Sequence, residues 1–153
     1  MGFGILKVMK IFIGADHGGF VMKEYIKGLL VSEGHEVVDV GNSVLDEQDD
    51  YVDFAQIVAR SVAREPEGRG ILLCRNGMGM SIVANRFPGI RCGLAFSVET
   101  AIKGRTDDDI NVLSLPSDYI DNNMAKEMVE AFLTERFNEV ERYIRRINKI
   151  DKI

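Results

Sequence analysis

Short apolar runs that end on glycine or a polar residue alternate along this chain with stretches whose hydrophobic positions recur every three to four residues. Lys10-Ile-Phe-Ile-Gly14 reads as a strand. Phe20 to Val31 reads as a helix, with Phe20, Met22, Ile26, Leu29 and Leu30 on one face, and Gly34 ends it. A second strand, Glu36 to Val40, runs into a polar loop from Gly41 to Asp50. The alternation continues with a helix at Asp53–Arg64, a strand at Gly70–Cys74, a helix at Ser81–Arg86 and a strand at Gly89–Ala95. Thr100–Lys103 suggests a short helix and Asn111–Leu115 a fifth strand. A long amphipathic helix at Asn122–Leu133 has a basic continuation from Arg142 to Lys149, within a C-terminal helical segment over residues 137–153.

Strands that alternate with helices pair in parallel through crossovers, and a parallel sheet needs cover on both faces. The pattern therefore predicts an α/β fold, a Rossmann-like three-layer sandwich around a five-stranded parallel sheet. With 153 residues the chain fits one domain, residues 1–8 reading as an N-terminal extension or an alternative start. A net charge of -5 argues against a general nucleic-acid partner. No stretch approaches membrane-spanning length and Met1–Val8 has no cleavage pattern, so neither membrane insertion nor secretion is expected. Cys74 and Cys92 both belong to apolar runs, which points to free thiols in a reducing cytoplasm rather than to a disulfide.

Ligands of such sheets lie beyond the carboxyl ends of the strands. Three polar groups fall there: Asp16-His17, Asn42 to Tyr51, and Cys74 to Gly79. The segment Gly70-Ile-Leu-Leu-Cys-Arg-Asn-Gly-Met-Gly-Met-Ser-Ile-Val-Ala-Asn85 passes from an apolar run through a thiol and a glycine loop into a helix. Backbone N–H groups and the positive end of a helix dipole then surround one point, which suits an anion. A thiol at its rim is expected to have a lowered pKa and to serve as base or nucleophile. A lone cysteine after an apolar run is more often a packed hydrophobe, so the thiol needs partners elsewhere in the chain.

Gly14-Ala-Asp-His-Gly-Gly-Phe20, Asp50-Tyr-Val-Asp-Phe-Ala55, Cys74-Arg-Asn-Gly-Met-Gly-Met-Ser-Ile-Val-Ala-Asn-Arg86, Pro88-Gly-Ile-Arg91 and Arg105 to Leu113 supply such partners. In order and spacing they resemble the ribose-5-phosphate isomerase B and galactose-6-phosphate isomerase family. The resemblance runs from Met9 to Ile150 and implies an aldose–ketose isomerase of a small phosphorylated sugar, working through a cis-enediolate without a cofactor. It also implies a homodimer or dimer of dimers whose active site is shared between subunits. No His, Cys and carboxylate cluster has metal-ligand spacing, in keeping with a metal-free reaction. By the resemblance, Cys74 is the base, and Asn76, Gly77, Met78 and Gly79 offer amides to the enediolate, with Ser81 beginning the next helix. Asp16 and His17 contact hydroxyls and phosphate, and Tyr51 lines the sugar. Arg142 and Arg146 reach a phosphate, in the partner's site.

Three departures stand out. Where the family's ring-opening His and the following Asn are usual, this chain has Asp107 and Asp108. A carboxylate with an ordinary pKa of about 3.9 stays ionised at neutral pH and donates no proton unless burial raises it. Arg75 stands in the glycine loop next to the base, where it could lower the thiol's pKa, pair with the Asp107 cluster or touch substrate. Tyr143 replaces a phosphate-binding His. The expected substrate is therefore a sugar phosphate that needs no ring opening, such as a tetrose 4-phosphate. The alternatives are a subunit that binds without catalysis and a galactose-6-phosphate isomerase-type subunit that needs a different partner chain.

Overall fold

The computed structural model describes residues 7–153. Of the expected N-terminal extension, only Lys7 and Val8 fall within them. The elements run β1 (Lys10–Ala15), α1 (Phe20–Ser32), β2 (Glu36–Asp39), α2 (Tyr51–Arg64), β3 (Arg69–Cys74), α3 (Met78–Ala84), β4 (Cys92–Leu94), α4 (Val98–Asp108), β5 (Val112–Pro116), α5 (Asn122–Thr134) and α6 (Glu141–Ile150). All strand pairs are parallel, in the order β2-β1-β3-β5-β4. The Rossmann-like three-layer sandwich is thus present, with its five strands.

Strand periodicity explains the layers, because successive side chains of a strand point to opposite faces. In β1 and β3, Ile11, Ile13, Ile71 and Leu73 face α1 and α5, where they meet Ile26, Leu30, Met128 and Phe132. Phe12, Leu72 and Cys74 point the other way, toward Phe54 and Val58 of α2 and Met80 and Ala84 of α3. Cys74 is thus the last side chain of β3 on the α2–α3 face.

The chain reverses its direction of travel across the sheet between β1 and β3, which are neighbours. Crevices outside the carboxyl ends of strands open at such a switch point. The loops after these two strands carry Asp16-His17 and Cys74–Gly79.

Four expectations of the element pattern need correction. Helix α3 begins at Met78, not Ser81, because Gly77 in a left-handed conformation (φ 72°) turns the chain into the helix at once. Strand β4 is only Cys92–Leu94, confined to where it pairs with β5. Helix α4 runs to Asp108 instead of stopping at Lys103; Ser97 and Thr100 form a reciprocal capping box at its start, and Asp109 ends it in the left-handed region. Asp107 and Asp108 therefore close the last turn of this helix. The basic continuation of α5 is a separate helix, α6, reached after an extended turn at Glu135.

Lys23 sits on the buried face of α1, fully enclosed. Its ammonium is 3.0 Å from both Asp39 oxygens and donates to the carbonyl of Asn42 at 2.8 Å, which ties α1 to the exit of β2. A buried charge is tolerated only when paired and hydrogen-bonded in this way.

Candidate functional site

After β1, the backbone N–H of Asp16 donates to Leu73 of β3 at 3.3 Å, so this turn is anchored across the switch point. The Asp16 carboxylate accepts the Gly19 N–H at 3.2 Å, and burial pushes its pKa up. His17 follows, with both its backbone N–H and its ring Nδ1 on one oxygen of Asp49, at 2.9 and 2.8 Å. The other oxygen of Asp49 accepts from Asn42 at 2.9 Å. The hydrogen bond to Asp49 raises the His17 pKa, so the ring keeps its positive charge to a higher pH than a free histidine. The sequence reading missed Asp49; the only signal was its place in a polar loop beyond a strand's carboxyl end.

The Cys74 loop is built around sulfur. Cys74 Sγ accepts the Gly77 N–H at 3.1 Å, and the amides of Met80 and Asn76 also turn toward it. The Gly77 carbonyl is held by the Ser114 hydroxyl at 2.7 Å and by the Ser81 N–H at 3.2 Å. Ser114, fully buried in β5, is a second residue that the sequence reading did not find. The Met78 N–H is taken by the Asn76 side chain at 3.0 Å. Three of the four amides expected to face an oxyanion, those of Asn76, Gly77 and Met78, thus already have partners. Ser81 lies inside α3 and sets its hydroxyl beside the thiol of the half-buried Cys92.

The expected lowering of the Cys74 pKa is reversed. Burial raises it and so does the charge of Asp16, and together they outweigh the three amides. Arg75 does not offset this; its guanidinium turns outward to Asp118, 3.5 Å away, and not to the Asp107 cluster. Tyr51, the first residue of α2, lays its ring over Gly79 so closely that a side chain there would meet Cε2 and Cζ at 2.6 Å. The ring is part exposed and walls the loop on one side.

Asp107, Asp108, Arg142 and Arg146 form a separate group. Both arginines pack on the Tyr143 ring, at 4.9 and 5.9 Å from its centroid. The Asp107 charge supports the raised pKa of Arg142, which the Tyr143 hydroxyl chiefly causes. Burial and then Asp107 raise the pKa of Asp108, against the pull of Arg146. It is thus Asp108 that is pushed toward holding a proton. These residues sit at the amino edge of the sheet, because α4 returns from the carboxyl edge to the start of β5. Pro116, at the far end of β5, is in register with Cys74. Along a single chain the two groups are separated by the height of the sheet, at least about 13 Å for a strand of this length.

The chain matches the model of the Ribose/Galactose Isomerase family over residues 11–150. Ribose-5-phosphate isomerase B of Mycolicibacterium paratuberculosis is 35% identical over 140 residues, covering 92% of this chain and 88% of that protein. A 4-deoxy-4-sulfo-D-erythrose isomerase of Clostridium sp. is 37% identical over 131 residues, covering 86% and 82%. The crystal structure of ribose-5-phosphate isomerase B from Mycoplasma genitalium with bound ribulose-5-phosphate superposes with a TM-score of 0.91 at 36% identity, covering 94% of this chain and 95% of that one. Among the described residues no helix is long and apolar enough to cross a membrane.

Proposed function

Since this chain belongs to the ribose/galactose isomerase family, we propose that it is an aldose–ketose isomerase of a small phosphorylated sugar, with Cys74 as the base. The observation that carries this reading is the convergence of the Asn76, Gly77 and Met80 amides on Cys74 Sγ at the switch point. The thiolate form of Cys74 takes the proton from the carbon next to the carbonyl. Negative charge then grows on the sugar oxygens, where the Gly79 N–H, without a partner among the described residues, stabilises it. Asp16 and the Asp49-held His17 orient the hydroxyls and the phosphate. No atom leaves or enters overall, and the proton returns to the neighbouring carbon.

A second copy of the chain completes the site in this reading. Arg142 and Arg146 carry planar guanidiniums suited to a phosphate, yet they lie a sheet's height from their own Cys74. A two-fold pair would bring one copy's arginines to the other's thiol. Cys74→Ala and Arg146→Ala variants, each inactive alone, should regain about a quarter of wild-type activity when unfolded and refolded together, since hybrid dimers hold one intact site. No recovery would place the whole site within one chain.

For the substrate we favour a tetrose 4-phosphate, whose blocked 4-oxygen cannot close a furanose. Asp107 stands where the family's ring-opening His is usual. The Clostridium relative, by its name, isomerises a four-carbon sugar substituted at carbon 4. Proton NMR in D₂O with four-, five- and six-carbon aldose and ketose phosphates tests both levels of the proposal. Deuterium exchange with tetrose phosphates well above ribose 5-phosphate is expected. Equal turnover of ribose 5-phosphate would reject the tetrose assignment, and no exchange with any sugar would reject catalysis by this chain alone and favour a binding subunit.

A further inference from the structure

At the amino edge of the sheet three guanidiniums come together: Arg69 opens β3, Arg91 precedes β4, and Arg105 belongs to the last turn of α4. Arg91 pairs with Asp151 and Asp109, each at 3.0 Å. The second oxygen of Asp109 goes to Arg105 at 2.9 Å, and Arg105, 5% exposed, also donates to the Ile110 carbonyl. Nothing comparable is left for Arg69. Among the described residues it makes one hydrogen bond, from Nη1 to the carbonyl of Gly68 at 2.9 Å. The Nε atoms of Arg69 and Arg105 are both buried, with no partner among the described residues. Burial and the neighbouring Arg105 charge push the Arg69 pKa down, as expected for a guanidinium short of a counter-charge.

A cavity of about 820 Å³ opens onto both arginines. Leu133 and Phe137 give it an apolar wall, and Glu33, Glu130 and Glu135 also line it. Glu130 has a cationic neighbour of its own, Lys126 at 3.8 Å, and Glu33 lies 3.8 Å from the His35 ring. Their charge admits a small anion more readily than a large polyanion. The volume is that of an ordinary small-molecule pocket.

We propose that this cavity is a second binding site, for a small organic oxyanion, a carboxylate or phosphate ester. Its charged end lies against the guanidiniums of Arg69 and Arg105, and its carbon skeleton lies on Leu133 and Phe137. The oxyanion supplies the counter-charge that Arg69 lacks. Within one chain the sheet stands between this site and the Cys74 loop, and the cavity shares no lining residue with the Asp107, Asp108, Arg142 and Arg146 group, so the two fill independently.

The arginine Nε–H resonances of the ¹⁵N-labelled full chain read this site directly. Titration with benzoate and, separately, with inorganic phosphate should shift the Arg69 and Arg105 Nε–H signals saturably. Arg69→Gln should weaken both titrations about tenfold or more while leaving the deuterium-exchange rate of the sugar substrate unchanged. Should that variant fail to fold, Phe137→Ala must weaken benzoate and spare phosphate. Shifts that never saturate, that persist unchanged in Arg69→Gln, or that appear only at the Gly77–Met80 amides would overturn the proposal.

Discussion

Replacing Cys74 with alanine is expected to lower kcat by about 10²–10⁴-fold, the range for loss of a general base, with the fold retained. The side chain is small, so removing sulfur leaves only a minor gap beside Phe54, Val58, Met80 and Ala84 and frees the Gly77 N–H, a modest cost that the fold survives. Cys74→Ser separates the base from its shape. A hydroxyl occupies nearly the same space but ionises far less readily, so serine should be as inactive as alanine. The raised thiol pKa adds a signature. Catalysis needs the thiolate while burial favours the thiol, so wild-type kcat should rise with pH through neutrality and keep rising into the alkaline range. Charge on His17 runs the other way. Its raised pKa preserves the positive ring above the usual histidine range, and KM should climb as it is lost. Urea melts of the three proteins and their kcat and KM profiles against pH provide the check. A Cys74→Ala enzyme of wild-type kcat, or a wild-type kcat independent of pH, would remove Cys74 from the role of base.

Gly77→Ala should be the most damaging conservative change in the site, costing about 2–4 kcal/mol of stability and most of the activity of the molecules that still fold. The φ of 72° alone disfavours an L-residue by about 1–2 kcal/mol. The added methyl would also stand 2.5 Å from Leu94 Cδ1 and 3.3 Å from backbone atoms of Leu115 and Pro116. Leu94 can swing aside, but β5 cannot, so the loop must shift. A shift strains the 2.7 Å bond from Ser114 to the Gly77 carbonyl and withdraws the Gly77 N–H from Cys74 Sγ. Gly89→Ala is the control, since Gly89 has a φ of 80° but open space around it. Chemical denaturation should show Gly77→Ala losing clearly more than Gly89→Ala, with kcat reduced only in the former. Equal losses in the two variants would mean that backbone strain alone is at work and the packing against β5 counts for nothing.

The strands and the reactive loop were legible because each announces itself locally. Apolar runs such as Ile71-Leu72-Leu73 are buried on both faces, and the glycines that follow mark the turn. What depended on distant partners was not legible. Helix α4 buries little along its length beyond Ala101 and Arg105, so its periodicity is faint and only the Ser97–Thr100 cap signals its start. Lys23 breaks the apolar face of α1 on paper, yet is buried there because Asp39, sixteen residues on, arrives from β2. The outward turn of Arg75 depends on Asp118, and the hold on His17 depends on Asp49. The sign of the Cys74 shift was missed for a different reason. Motif and spacing reveal the amides that stabilise a thiolate, but not how completely the fold removes water from it.

The two anchors described above, Lys23 on the Asn42 carbonyl and Asp49 on the Asn42 side chain, close the base of one surface loop. Between them Ser43 to Gln48 lie exposed, with Val44 and Leu45 turned to solvent. Closing a loop twice as long costs only about 0.6 kcal/mol more. Residues can therefore be inserted, deleted or exchanged here while His17 stays where it is. In engineering terms this stretch is a cassette, exchangeable beside a histidine that Asp49 keeps fixed.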